Sequence, residues 1–348
     1  MTATMRRVPL AVLPTPLVDA ARLAEALGLP GSLFVKRDDL TGFAVAGNKA
    51  RPLEALLAEA IDQGADVIVT GGAPGSNFIQ AATAAAAYAR LRCVLVLAGR
   101  AGASAPMHPN LAAALAWGAE VHWTGDEDRT SVDDALMETA DDLARHGHRP
   151  YVIGRGGSTA TGALGYFAAV GELLGQLPAG MQPTVVVGCG SGGTLAGLVA
   201  GSVAHGRALR LVGASVSRPV DAAAERVLTL ARGVARSRGE PLPDASDVVL
   251  VDARGPGHAI PSLAGDRAAA LALQHAGLVL DPVYTAKALA VLPEVVGDGP
   301  AVFWHTGGLL DAVAGWVFGR STTPEQQKSS DHSIGRADDL PVRTGVEP

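Results

Sequence analysis

The stretch Thr184-Val185-Val186-Val187-Gly188-Cys189-Gly190-Ser191-Gly192-Gly193-Thr194 joins an apolar, β-branched run to a glycine-rich turn, and a small-apolar segment continues to Ala204. The run reads as a buried strand, the turn as a strand-to-helix connection, and Gly193 to Ala204 as a helix. Glycines at 188, 190, 192 and 193 let the backbone turn tightly and aim several N–H groups at one anion. The helix dipole adds positive potential there, and Ser191 and Thr194 add hydroxyl donors. The turn therefore reads as a phosphate cup rather than as a turn that needs glycine only for packing. Gly188, Gly190 and Gly193 also satisfy the dinucleotide pattern G-x-G-x-x-G, so an oxidoreductase is a rival reading. Its ribose-binding acid is missing where it is due, because the next strand ends Ala214-Ser215-Val216-Ser217-Arg218. An NADP-dependent oxidoreductase using Arg218 is what survives of that alternative, and it leaves Lys49 without a role.

Outward from this turn, short β-branched runs alternate with Ala- and Leu-rich helical stretches, the pattern of strand-helix-strand units in parallel sheets. The first half predicts strands at Val67 to Thr70, Cys93 to Ala98, Glu120 to Trp123 and Tyr151 to Ile153. Helices are expected at Arg51 to Ile61, Ser76 to Arg90, Pro109 to Trp117 and Ser131 to His146. In the second half, strands are expected at Thr184 to Val187, Arg210 to Ala214, Val248 to Val251, Leu278 to Leu280 and Ala301 to Trp304. Its helices are Gly193 to Ala204, Asp221 to Ala235, Asp266 to His275, Ala286 to Val296 and Leu309 to Val317. The fold class is α/β, with two three-layer α/β/α lobes built on parallel sheets and a cleft between them.

Composition agrees with that class. Of 348 residues, 48% are hydrophobic and 18% charged, as suits strands buried on both faces. A formal charge of −6 and no basic cluster argue against nucleic acid as a partner. The N-terminal stretch is broken by prolines rather than apolar like a signal peptide, and no run reaches the length of a membrane helix, so a soluble, cytoplasmic protein is expected. Cys93 and Cys189 are too few for a disulfide framework, and Cys189 reads as structural. The histidines, among them His108, His122, His146 and His148, lack the spacing of a zinc site, so no metal is expected. From Ser321 to Pro348 the chain is polar and aperiodic, and a disordered tail is expected there.

Lys49 lies in Gly47-Asn48-Lys49, just before a helix, with Lys36-Arg37-Asp38-Asp39 upstream. An ammonium at a helix start is disfavoured by the dipole, which lowers its pKa and favours the neutral amine that Schiff-base chemistry requires. A phosphate cup and an amine able to hold an aldehyde together match pyridoxal 5'-phosphate.

These segments resemble the fold-type II (tryptophan synthase beta-like) pyridoxal phosphate enzymes, in particular the branch of D-cysteine desulfhydrase and 1-aminocyclopropane-1-carboxylate deaminase. The resemblance runs from about Pro14 to Val313. It rests on Lys36-Arg37-Asp38-Asp39, Gly47-Asn48-Lys49, Thr70-Gly71-Gly72 with Ser76-Asn77, Arg149-Pro150-Tyr151-Val152-Ile153, Gly165-Tyr166, Leu280-Asp281-Pro282-Val283-Tyr284-Thr285 and His305-Thr306-Gly307-Gly308. It implies that Lys49 holds the cofactor aldehyde, that Asn77 bonds the ring hydroxyl, and that Gly190, Ser191, Gly192, Gly193 and Thr194 hold the phosphate. Thr285 would face the pyridine nitrogen, Ser76 the substrate carboxylate, and Tyr284 the substrate. Read without the family, Ser76 is an N-cap and Tyr284 a core aromatic.

The resemblance further implies a large cofactor-binding domain of residues 1–46 and 167–320, a small mobile domain of residues 47–166, and a homodimer. Where the deaminases place a glutamate after the tyrosine, this chain has Thr285, which favours β-elimination over opening an unactivated ring. The activity implied is a β-eliminating lyase giving a 2-oxo acid, ammonia and a leaving group such as sulfide. A deaminase of the cyclopropane substrate and an L-cysteate-type sulfo-lyase are the alternatives within the family. Departures are Pro74-Gly75 before Ser-Asn, Phe78 and Gln80 after it, and Pro256-Gly257-His258-Ala259 where the family has a second tyrosine. His258 reads as a base, as a ligand for an anionic substrate group, or as a loop histidine.

Overall fold

The computed structural model describes residues 6–102 and 107–317. The strands in chain order are β1 (Leu17–Asp19), β2 (Leu33–Arg37), β3 (Val67–Gly72), β4 (Arg92–Leu97), β5 (Glu120–Trp123), β6 (Pro150–Ile153), β7 (Thr184–Cys189), β8 (Arg210–Ser215), β9 (Val249–Asp252) and β10 (Ala301–His305). The α-helices are α1 (Ala21–Ala26), α2 (Ala50–Asp62), α3 (Asn77–Tyr88), α4 (Pro109–Ala116), α5 (Ser131–Arg145), α6 (Ala160–Gln176), α7 (Gly193–Ala204), α8 (Val220–Arg238), α9 (Leu263–Ala276), α10 (Thr285–Ala290), α11 (Leu292–Val295) and α12 (Leu309–Val317).

Two sheets result, a six-stranded one in the order β1-β2-β10-β7-β8-β9 and a four-stranded one in the order β5-β4-β3-β6. Every pairing is parallel except that of β1 with β2. In register, Ala301 lies between Leu33 and Thr184, and Val67 lies between Arg92 and Pro150.

Alternation along the strands builds three layers in each sheet. Val185 and Val187 pack with α6, α7 and α8, while Val186 packs on the other face with α1, α9 and α10. In the smaller sheet Val67 and Val69 meet Val132, Leu136 and Ala140 of α5, while Ile68 meets α2, α3 and α4. The α/β class with parallel sheets is thus the observed fold. The expected tail from Ser321 lies outside the described residues.

Elements β1, α1 and β2 precede every strand and helix predicted from the sequence pattern, and three further elements differ from it. Leu278 to Leu280 forms no ladder; Leu278 and Leu280 are buried in the core, and Asp281-Pro282 follows at once. The helix expected over Ala286 to Val296 breaks at Val291, since Pro293 has no N–H to continue the ladder. An unannounced helix, α6, carries glycines at 162, 165, 171 and 175, which argue against a helix by propensity alone. Packing overrides that preference: a Cβ at Gly165 would lie 2.6 Å from the Arg51 carbonyl oxygen, and one at Gly197 of α7 would lie 2.3 Å from the Ala163 carbonyl oxygen. The bare glycines let α2, α6 and α7 approach closely, which sets the Lys49 end of α2 against the larger sheet. Among the described residues no helix is long and apolar enough to cross a membrane.

Candidate active site

The predicted site residues gather beyond the C-terminal ends of β7, β10 and β3, where open parallel sheets place their ligands. Lys49 ends the short turn Gly47–Lys49 that leads into α2. Three contacts fix this turn: the Asn48 N–H donates to the Thr306 carbonyl at 2.9 Å, Thr41 Oγ1 to the Gly47 carbonyl at 2.9 Å, and Asn48 Nδ2 to Thr194 Oγ1 at 3.1 Å. The last contact ties the lysine segment to the glycine loop, 146 positions away in sequence. Gly47 has φ +52°, and a Cβ there would lie 2.6 Å from the Thr306 oxygen, so this position demands glycine.

The Lys49 side chain has no hydrogen bond or ion pair among the described residues, and burial lowers its ammonium pKa to about 8. The direction is the one expected, but the cause is desolvation rather than the helix dipole.

The glycine loop is built as an anion cradle. Gly192 sits at φ +95° and caps α7, and the N–H groups of Gly190 to Thr194 have no partner among the described residues. Their carbonyls are tied from behind instead: Gly190 accepts from Ser217 Oγ at 3.0 Å and Arg218 Nη1 at 2.8 Å, and Ser191 accepts from Arg226 Nε at 2.8 Å. Ser158 Oγ donates to Ser191 Oγ at 2.5 Å. Unpaired donors on one side and anchored acceptors on the other fit a phosphate monoester. Arg218 is thereby engaged by the loop itself, which removes the NADP reading its cation. Cys189 lies buried beside the loop with its thiol pushed up to about 12, an inert sulfur as expected.

Ser76 is the N-cap of α3, with its Oγ accepting from the Phe78 N–H at 3.2 Å. Asn77 follows, and its Nδ2 donates to Asp311 Oδ2 at 3.0 Å. Asp311 also accepts from Asn110 Nδ2 at 2.8 Å and lies 3.5 Å from His108 Nε2. Burial, and then the charge of Asp281, push the Asp311 carboxyl up to about 7. Sequence reasoning missed Asp311; its only signal was a single acid in the apolar stretch Leu309 to Val317.

Thr285 opens α10 and is clasped by Asp281: its hydroxyl donates to Asp281 Oδ2 at 2.6 Å and accepts from the Asp281 N–H at 2.8 Å. The same carboxylate accepts the N–H groups of Val283, Tyr284 and Thr285 at 3.0, 2.6 and 3.0 Å. With its proton directed at Asp281, the hydroxyl presents a lone pair rather than a donor to any neighbouring ring nitrogen. Asp281 is a second carboxylate that the sequence reading left unused.

The Tyr284 hydroxyl finds no partner among the described residues, unlike a core tyrosine satisfied by backbone. Burial, then Asp281 and Asp311, raise its pKa to about 12 against the pull of Arg129 and Arg218. Its ring lies against Gly190, where a Cβ would come within 2.8 Å of Cε1. His258 packs edge-on to Tyr284 at 6.5 Å and touches Arg129 Nη1 through Nε2 at 2.7 Å. Burial, with Arg129 and Lys287 adding to it, lowers the imidazole to about 4, so it is neutral and unsuited to act as an acid near pH 7. His305 is buried, accepts from the Gly307 N–H at 3.3 Å and stacks on Phe303.

A buried amine whose pKa is lowered to about 8, a loop of unpaired N–H groups tied to its segment and a hydroxyl backed by a carboxylate fit an enzyme that holds a phosphorylated aldehyde. The chain matches the pyridoxal-phosphate dependent enzyme family over residues 8–307 and belongs to it. It is 37% identical to a D-cysteine desulfhydrase of Klebsiella pneumoniae (strain 342) over 313 residues, 87% of this chain and 94% of that one. A D-cysteine desulfhydrase of Salmonella paratyphi C (strain RKS4594) is likewise 37% identical over 314 residues, again 87% and 94% of the two chains. Among solved structures, an ACC deaminase homologue superposes with a TM-score of 0.83 at 32% identity, covering 90% of this chain and 95% of its own. Maize serine racemase, at 17% identity and a TM-score of 0.61, covers 91% of this chain and 93% of its own and shares the fold. The enzyme is pyridoxal phosphate-dependent, and the cradle and the lysine with its lowered pKa fit that cofactor.

Proposed function

We propose that this enzyme is a lyase of the D-cysteine desulfhydrase type, removing a leaving group from Cβ of a small amino acid to yield a 2-oxo acid and ammonia. The observation that carries the reading is Lys49, a desolvated amine without a counter-ion, its segment fastened through Asn48 to the Thr194 hydroxyl at the end of the glycine loop. Its relatives support the choice of reaction.

When bound, the cofactor supplies an electron sink for charge developing at Cα. Lys49 Nζ would be its attachment point, Gly190 to Thr194 would hold its phosphate, Asn77 would bond its ring hydroxyl, and Thr285, clasped by Asp281, would meet its ring nitrogen. Ser76 Oγ and the N-terminus of α3 bind the substrate carboxylate. Lys49 Nζ, or Ser76 Oγ, takes the Cα proton, and Tyr284 lines the substrate side. Residues 47–166 form the smaller lobe, which closes over the substrate and excludes water. A cytoplasmic homodimer is part of the same proposal, and sedimentation of the purified enzyme tests the assembly.

The 32% identity with the ACC deaminase homologue favours a second reading, deamination of the cyclopropane amino acid. The two separate by product: sulfide and pyruvate from cysteine, or 2-oxobutanoate from 1-aminocyclopropane-1-carboxylate. Assayed on both isomers of cysteine and on the cyclopropane substrate, the enzyme is expected to release sulfide. Production of 2-oxobutanoate alone would establish the second reading instead.

A further inference from the structure

We propose that Asp311 is a positioning residue that acts through Asn77: it fixes how the Asn77 amide faces the cofactor's ring hydroxyl, and so strengthens the hold on a proton at the nitrogen that joins Lys49 to the cofactor. The proposal rests on the assignment of Asn77 to the ring hydroxyl made above.

An ionised carboxylate only accepts, so both amides that meet Asp311 must turn Nδ2 toward it. Asn77 Nδ2 lies 3.0 Å from Oδ2, and Asn110 Nδ2 lies 2.8 Å from Oδ1. For the Asn77 side chain this is the one hydrogen bond among the described residues, so its second N–H and its carbonyl oxygen remain for a ligand. Asn110 is held differently. It is fully buried, and the same Nδ2 also donates to the Gly75 carbonyl at 3.2 Å, beside the Ser76 cap of α3. The clasp thus joins α12, α4 and the start of α3, with Asn77 as the member left open toward a ligand.

Among the described residues, the ion-pair neighbour of Asp311 is His108, whose Nε2 lies 3.5 Å from Oδ1. His108 Nδ1 accepts from the Asn110 N–H at 3.2 Å, which leaves the ring proton on Nε2, and burial lowers the imidazole below its ordinary value. His108 is therefore neutral near pH 7 and brings no charge. Asp281 faces Asp311 from the segment before α10, and Tyr284 lies within range of both acids. Gly308, at φ +95°, permits this approach, since a Cβ there would lie 2.6 Å from Asp281 Cβ. Burial and Asp281 push the Asp311 carboxyl up to about 7, while the two amides hold it down.

The bound cofactor supplies the missing countercharge. In pyridoxal the hydroxyl and the aldehyde stand on adjacent ring atoms, so a side chain at the hydroxyl is also beside the nitrogen that Lys49 contributes. An amide polarised by a carboxylate passes that charge toward the ring. The attraction is mutual: a proton on the lysine-linked nitrogen favours ionised Asp311, and ionised Asp311 favours that proton.

The test compares the unaltered holoenzyme with Asp311→Asn and Asn77→Ala by the pH midpoint of the visible absorption of the bound cofactor, which reports the proton on the lysine-linked nitrogen. Asp311→Asn keeps the shape of the side chain and removes its charge. The midpoint should fall by about one pH unit in Asp311→Asn, and it should shift in Asn77→Ala as well. A role for Asp311 in stability alone would leave the midpoint in place. A midpoint that stays or rises in Asp311→Asn, while Asn77→Ala moves it, overturns the proposal and leaves the assignment of Asn77 standing. A fall in Asp311→Asn with no shift in Asn77→Ala also overturns it, because the acid then acts without the amide. No shift in either variant removes Asn77 from the ring hydroxyl and the proposal with it. Where the unaltered enzyme keeps one absorption band at every pH at which it is folded, the dissociation constant of pyridoxal 5'-phosphate decides instead. It should rise about fivefold in Asp311→Asn, as suits a charged hydrogen bond made neutral, and an unchanged constant defeats the proposal.

Discussion

Two charged regions meet the lysine segment, one beneath Asn48 and Arg51 and the other behind the glycine loop, and they are built on opposite plans. In the first, Asp38 is fully buried and accepts from Arg51, Thr15, Tyr166 and Trp304. Arg51 also bonds Glu172, which accepts from Lys36 at 2.5 Å. Burial alone would raise the Asp38 pKa, but the charge and hydrogen bonds of Arg51 outweigh it and hold the carboxyl below its ordinary value. Each ion there is answered by another residue of the chain. Behind the loop, Arg218 and Arg226 meet carbonyls and have no acid partner among the described residues. Matched buried charge holds a geometry and adds little net stability. Unmatched charge marks where a ligand completes the structure.

The largest effect is expected at Lys49, which the matched region positions. Lys49→Ala should lower turnover by about 10³-fold or more, and borohydride reduction of the unaltered holoenzyme followed by peptide mapping should find the pyridoxyl group on Lys49. Trapping at another lysine would break the comparison at its root.

Next comes the matched region itself. Asp38→Ala leaves Arg51 buried beside a vacancy and should destabilise the protein by about 3–5 kcal/mol, read from urea unfolding. A loss below 1 kcal/mol would show that the region behaves as surface charge.

Lys49 also links stability to pH in the cofactor-free protein. Its ammonium titrates near 8 when folded against 10.5 when free. Below pH 8 the folded state bears the full cost of a buried charge, and between 8 and 10.5 the unfolded chain holds a proton that the folded one has lost, so stability rises with pH. Lys49→Met should therefore be more stable at pH 7 by about 3 kcal/mol, the difference vanishing near pH 10.5. A pH-independent difference would mean that burial does not depress the lysine.

The smallest effect concerns Ser76. Losing its cap should cost about 1 kcal/mol of stability in Ser76→Ala. If Ser76 also serves the substrate, kcat for the D and L isomers of one substrate should change unequally. Equal loss on both would reduce Ser76 to its cap.

The strand ends, the glycine loop and the exceptional lysine are legible because each is a local pattern: an apolar run, a run of glycines, a cation at a helix start. The predicted strand Glu120 to Trp123 coincides with the observed one, and helix Gly193 to Ala204 does so at both ends. The pairing of Arg129 with His258, 129 positions apart, has no such pattern, nor has that of Asp38 with Trp304, 266 apart. Asp311 reaches Asn77 across 234 positions, so its part in the site appears only once β10 has brought α12 beside α3. Helix α6 escaped notice for a related reason: its glycines serve neighbours distant in sequence, not the helix they belong to.

By itself the sequence determined the alternating architecture, the glycine turn proposed to hold a phosphate and the lysine proposed to attach the cofactor, since periodicity, backbone freedom and residue chemistry act within a few positions. Tertiary structure alone decided which charges are answered internally and which await a ligand. That balance depends on distances between side chains on different sheets, and only packing sets those distances.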